Sequence, residues 1–279
     1  MLLATVLLSL MHALVRHVGS DMHPFEVSFF RNLFGLLAVL PLVLRNGVKS
    51  LRTRHPGLQA LRSVLGVMAM LSWFYALTVV PIAQATALSF TNVIFASIGA
   101  ALILSETMRA RRWTAVCLGF TGALIILRPG FEQISLGMLL VVGSSVAWGM
   151  AMVVIKKLSR TDSVVSIVAW MAINLTILSS IPALFVWTWP TWQELFWLTL
   201  VGALGTGGHL AMTNALKLAD TSTIMPLDFA RLLWASIIGY FAFSEIPDVG
   251  TWLGGAIIIA SATYLIIREA QLGRATIRN

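Results

Sequence analysis

Apolar residues run in long blocks along the chain, and polar ones gather in short connections between them. A helix rising about 1.5 Å per residue needs roughly 20 apolar residues to cross about 30 Å of hydrocarbon. Ten such windows recur, at about 1–18, 24–44, 57–79, 82–104, 111–128, 134–157, 164–187, 193–216, 221–243 and 249–267. They predict an all-α integral membrane protein of ten transmembrane helices. The first window starts at Met1 and is followed by Arg16 and His17. It carries no basic leader and no small-residue cleavage pattern before Arg16, so it reads as a true first span and not as a cleaved signal peptide.

Composition agrees with a lipid solvent: 58% of residues are hydrophobic and 11% charged. The net charge of +8 could suggest nucleic acid, but that partner needs basic residues clustered on a soluble face, and here they lie between apolar runs. No nucleic-acid partner is expected. Fifteen of the 19 lysines and arginines, Arg45, Arg62, Arg109 and Lys156 among them, fall in the connections after windows 2, 4, 6 and 8 or in the C-terminal tail. The opposite connections hold Arg16 and Arg128, so the positive-inside rule puts both termini in the cytoplasm. Trp187, Trp189, Trp192 and Trp197 suit a headgroup layer on the other side. Cys117, the single cysteine, has no partner for an intrachain disulfide.

An internal repeat organises the windows. A shift of 139 residues lays 76–106 on 215–245 without a gap, with Ala76, Leu77, Leu88, Phe90, Ala96, Ser97, Ser105 and Glu106 each meeting an identical residue. The halves, 1–128 and 129–279, hold five windows each. An odd number makes them enter the membrane in opposite senses, which predicts two inverted five-helix repeats around a central cavity. Such halves can open a central site to one side and then the other. That is the plan of a carrier, and no repeated charge ring or filter motif favours a channel.

This count leaves two arginines over, Arg31 and Arg231, both inside windows. The repeat aligns Asp228 with Ser89 and Arg231 with Asn92, so each copy places polar groups three residues apart on one predicted helical face. An ionisable group near mid-bilayer costs about 2.5–3.5 kcal/mol on insertion scales, so these groups are expected inside the bundle. Asp228 and Arg231 can form a structural ion pair, or Arg231 can present donors to an anionic substrate group while Asp228 orients it. Pro226 frees a backbone carbonyl just before them. Arg31 is expected to face Asp228 or the cavity; Glu26, near the outer end, to be solvated and structural. His209 could carry a proton or a structural hydrogen bond, and so could His12. Trp73, Trp148 and Trp234 are candidates to line the cavity. Glu106 and Glu245 read as helix-end caps or partners of the next connection, and Gly119, Gly122, Ser145, Gly149, Gly254 and Gly255 as sites of close helix approach. Pro41 and Pro182 fall within two residues of one another after the shift, and with Pro226 are hinge candidates.

The duplicated plan, HPFEVSFFRNLFG at the start of window 2, and the paired segments SETMRARRWTAVCLGFTGALIILRPG and SEIPDVGTWLGGAIIIASATYLIIRE together resemble the ten-span EamA-type transporters of the drug/metabolite transporter superfamily. The resemblance covers nearly the whole chain. It implies a basket of helices with a central cavity, alternating access, and substrates such as amino acids and their derivatives, nucleotide-linked metabolites or vitamins. The chain shows no Gly-rich phosphate loop, metal-spaced His/Cys set or Ser/His/Asp arrangement outside the windows, so neither an enzyme nor a cofactor is expected. The reading is a gradient-driven, uncoupled or exchanging carrier of the inner membrane, able to enclose its path as a monomer, with an amino acid or derivative as its small-molecule substrate. S-adenosylmethionine or riboflavin uptake is the alternative. A non-transporting scaffold or receptor subunit is the alternative from another class.

Overall fold

Residues 1–46, 53–104, 110–127, 135–158, 161–162, 164–218 and 227–277 are described by the structure, a computed structural model. The helices are α1 (Leu2–Val18), α2 (Pro24–Asn46), α3 (Pro56–Val79), α4 (Ile82–Ser89), α5 (Asn92–Leu104), α6 (Ala110–Leu127), α7 (Leu136–Leu158), α8 (Val164–Leu184), α9 (Trp192–Leu218), α10 (Ala230–Phe243) and α11 (Val249–Ile277). Pro24 and Pro56 open α2 and α3, where the missing N–H leaves no intrahelical bond unmade. Pro56–Val79, Leu136–Ile155 and Trp192–Met212 are each long and apolar enough to cross a membrane, and the other apolar helices are shorter. Among the described residues there is no strand.

One expected continuous helix is interrupted. Window 82–104 breaks at Phe90 and Thr91, whose N–H groups turn back to Ala87 and Leu88 carbonyls at 3.3 and 3.2 Å, a tighter winding than the α-helix. The Thr91 hydroxyl donates to the Leu88 carbonyl at 2.7 Å, and such a side-chain bond competes with the helical ladder. In the window expected at 221–243, α10 starts only at Ala230. Leu227 and Asp228 are helical, and Phe229 forms a turn between them and α10. Ser89 and Asn92 therefore flank a break instead of sharing one helical face, and Asp228 and Arg231 span the other. Pro226 and Glu106 lie outside the described residues.

Packing follows the small residues. α6 lies on α11, where a Cβ added to Gly122 would stand 2.7 Å from the Gly254 carbonyl oxygen. The Ser261 hydroxyl on α11 donates to the Ala115 carbonyl of α6 at 2.5 Å. α7 runs along α3 and α5, with Gly149 against the Asn92 carbonyl and the Ala96 amide. α9 lies along α1 and α2, α8 along α2 and α3, and α10 along α1 and α4.

One end of the bundle carries Glu26 and the other Asp162. Glu26 is fully buried, not solvated: its carboxylate accepts from the Thr188 amide at 2.6 Å and the Thr188 hydroxyl at 3.0 Å. At the same end Glu245 pairs with Arg16 at 2.5 Å and accepts from the Ile82 amide at 2.9 Å, while Arg16 also donates to the Leu77 and Val80 carbonyls. Glu245 thus partners α1 and the start of α4, and not the connection that follows it. At the far end Asp162 accepts from Thr53, the Arg54 amide, Gln59 and Thr161. Burial there would raise its carboxyl, but these donors outweigh it and hold the group below the usual carboxylate range.

Candidate functional site

The two breaks meet inside the bundle. Phe90, from the first, packs edge-to-face on Phe229, from the second, with ring centroids 4.9 Å apart. Arg231, in the first turn of α10, donates to the Asp228 carboxylate at 2.6 Å across the break, and its guanidinium carbon stands 5.4 Å from the centre of the Phe90 ring. The Arg231 side chain is 16% exposed and that of Asp228 19%. The carboxylate also lies at the start of α10, where the helix dipole favours negative charge. Arg231 keeps a buried Nε–H with no partner among the described residues. The pair is therefore a real ion pair with a donor left over, and the two readings of it are compatible.

Other expected residues gather around this point through their neighbours. Trp234, one turn along α10 from Arg231, donates its indole N–H to the buried Thr5 hydroxyl of α1 at 3.1 Å. Trp73 on α3 packs edge-on to His12 of α1, centroids 5.3 Å apart. His12 is buried and within electrostatic reach of Arg231, His209 and Arg31. Arg31 donates to the Asn32 side-chain oxygen at 3.0 Å, and not to Asp228, one of its two expected positions, and lies against Gly205 of α9. His209 is on α9, within reach of Arg31, Arg62 and Arg231. Trp148, half-buried on α7, enters none of the ring pairs found among the described residues. Ser89 donates to the Thr86 carbonyl at 2.8 Å, and its own carbonyl accepts from Ser145. Asn92 is half-buried and begins α5. Pro41 lies exposed within α2 and Pro182 half-buried within α8, the helix packed on it.

Four contributing residues were missed. Asn32, 3% exposed, takes the Arg31 bond and donates to Ser179 of α8 at 3.1 Å. Phe90 and Phe229 were visible only as an identity in the repeat. Arg62, counted with the basic connection, is 2% exposed inside the helical bundle. A separate pocket of about 240 Å3 lies at the Glu26 end, lined by His17, Asp21, Glu194 and Trp197 among others, and shares no residue with the centre.

The sequence pattern of the EamA-like transporter family matches residues 1–128 and again 135–267. The chain is 33% identical to the "S-adenosylmethionine uptake transporter" of Rickettsia bellii (strain RML369-C), over 97% of this chain and 93% of that protein. It is 34% identical to the "Riboflavin transporter" of Vibrio cholerae serotype O1, over 89% and 84% respectively. A crystal structure of an 18% identical protein superposes with a TM-score of 0.65, covering 96% of this chain and 97% of that one, a likeness of fold.

Proposed function

The chain belongs to the EamA-like transporter family, and from that membership we propose a carrier that takes up a planar heteroaromatic metabolite of the S-adenosylmethionine or riboflavin class. The observation that carries this reading is the meeting of the two breaks, which brings aromatic faces and an arginine with an unused donor to one buried place. Phe90, Trp73 and Trp234 offer apolar surface to a ring system, and Arg231 and Arg31 donate to its acceptors, with His209, Asn92 and Ser89 beside them. Trp148 would close the α7 side. The similar transporters speak for this class over a free amino acid, the first expectation, which finds no support among them.

Alternating access by inverted repeats gives the mechanism. Helix pairings in matched sets support the duplicated plan: α3 on α7 answers to α9 on α1, while α2 on α8 and α6 on α11 answer to themselves. The 139-residue shift turns Gly122 and Gly254 into Ser261 and Ala115, which also touch. Discontinuous helices that meet at a central site are a recurring device of such carriers. Pro41 and Pro182 remove a backbone donor from two helices packed together, which suits bending. The Asp162 end is the cytoplasmic one on the count of basic residues, the inner membrane is the site of action, and one copy encloses the path.

The test is uptake into proteoliposomes holding purified protein alone, with labelled S-adenosylmethionine, riboflavin and an amino-acid mixture, with and without a pH gradient. Saturable uptake of either heteroaromatic compound, unaffected by amino acids, is expected. Amino-acid flux alone would sink the substrate class, and no flux from folded protein would sink the carrier.

A further inference from the structure

Among the described residues, Arg62 is a buried cation without a counter-charge. It lies near the start of α3, one turn and a half inside the helix, and is 2% exposed. Its Nη2 contacts the Met171 sulfur of α8 at 2.5 Å, and Nε and Nη1 have no hydrogen-bond partner among the described residues. Room for the guanidinium comes from Gly66, one turn on, where an added Cβ would stand 3.6 Å from Nη1 and 3.5 Å from a Leu175 methyl. Among the described residues, another cation, Arg31, and the imidazole of His209 lie within its electrostatic reach.

Four carboxylates of the described bundle are engaged elsewhere. Glu26 is held by Thr188, Glu245 by Arg16, and Asp162 by Thr53, Arg54, Gln59 and Thr161. Asp228 is bound to Arg231. Leaving a buried guanidinium donor unmade costs more than an ordinary lost hydrogen bond, and two neighbouring guanidinia repel each other. An oxyanion accepting from Nε and Nη1 would relieve both, and the planar fork of arginine fits a carboxylate with two parallel bonds.

We propose that Arg62 receives the carboxylate of the transported metabolite, on the Asp162 side of Arg31, so that the substrate is an amino-carboxylate joined to a heterocycle and not a neutral flavin. This rests on the carrier reading. It adds a second station to the aromatic one, and explains why a guanidinium near the basic end is folded into the helix bundle and not into the connection.

The experiment compares uptake and binding of S-adenosylmethionine with those of its decarboxylated analogue, identical except for the carboxylate, in wild type, Arg62→Met, Arg62→Lys and Gly66→Ala. Riboflavin runs in parallel. Wild type is expected to favour the carboxylate form by about tenfold or more, the scale of a charge-assisted hydrogen bond. Arg62→Met is expected to erase that preference while keeping the decarboxylated analogue's binding. Arg62→Lys should keep part of it. Gly66→Ala, whose methyl fits at ordinary contact but covers Nη1, should weaken it with the fold intact. Equal loss of both analogues in folded variants, or a preference that survives Arg62→Met, would overturn the assignment. So would uptake of riboflavin with neither sulfonium compound, which leaves the carrier standing. No uptake of any compound by folded wild type would overturn both.

Discussion

Arg231 shows how one side chain can hold a fold together and keep capacity for a ligand. One terminal nitrogen binds Asp228, the guanidinium carbon stands 5.4 Å from the centre of the Phe90 ring, and Nε has no partner among the described residues. Breaking a fully buried ion pair costs about 3–5 kcal/mol because the surviving charge is uncompensated, and here about a sixth of each side chain remains accessible, which reduces the cost. Asp228→Asn is therefore expected to lower the thermal midpoint in detergent. The double change Asp228→Leu with Arg231→Met removes both charges and should restore much of that stability, since an apolar pair often replaces an ionic one without loss. Transport by the double variant should be absent. Restored transport along with restored stability would reduce the pair to a structural clamp. Asp228 and Arg231 were legible because charges stand out in an apolar run. Arg62 was not, because it falls at the polar edge of window 57–79, beside Gln59 and Ser63, where a basic residue counts with the adjoining connection, and burial depends on what α8 lays over it.

At the level of helices, hydropathy located each window and missed the interruption. A window average cannot register Phe90 and Thr91, since neither lowers hydrophobicity enough and neither is Gly or Pro. The break comes from local hydroxyl bonding and from the Phe90–Phe229 contact, which needs the tertiary fold. The small residues were more telling, because a missing side chain where helices touch has a steric meaning in the sequence itself. Gly122→Ala would drive a methyl to 2.7 Å from the Gly254 oxygen and 2.8 Å from an Ile258 carbon, so α6 and α11 must separate. Overpacking of this kind costs about 1–3 kcal/mol, and a fall in thermal midpoint is expected. Gly57→Ala is the control, with nothing within 4 Å of its added Cβ. Equal midpoints for the two would mean that the α6–α11 seam is slack.

For the molecule as a whole, the repeat was readable because identical residues recur at one offset, whereas which end is fastened was not, because that depends on contacts between distant helices. Arg16 and Glu245 supply the fastening: one ion pair ties α1, the α3–α4 junction and the end of α10 at the Glu26 end of the bundle. A carrier that opens its two ends in turn has to release such a tie in one of its states, so removing it biases the population toward opening there. Replacing the exposed Cys117 with Ser leaves a background free of thiols, and a cysteine placed at the buried Ser9 of α1 then reports access to the interior. A membrane-impermeant thiol reagent applied from the Glu26 face should label Ser9→Cys faster when Glu245→Gln is added, because an uncharged amide holds Arg16 less strongly than a carboxylate does. Applied from the Asp162 face, the same reagent should label it more slowly in that variant, since opening one end depopulates the state open to the other. Faster labelling from both faces would indicate general loosening. Unchanged labelling from either face would show that the tie stabilises the fold without setting its direction of opening.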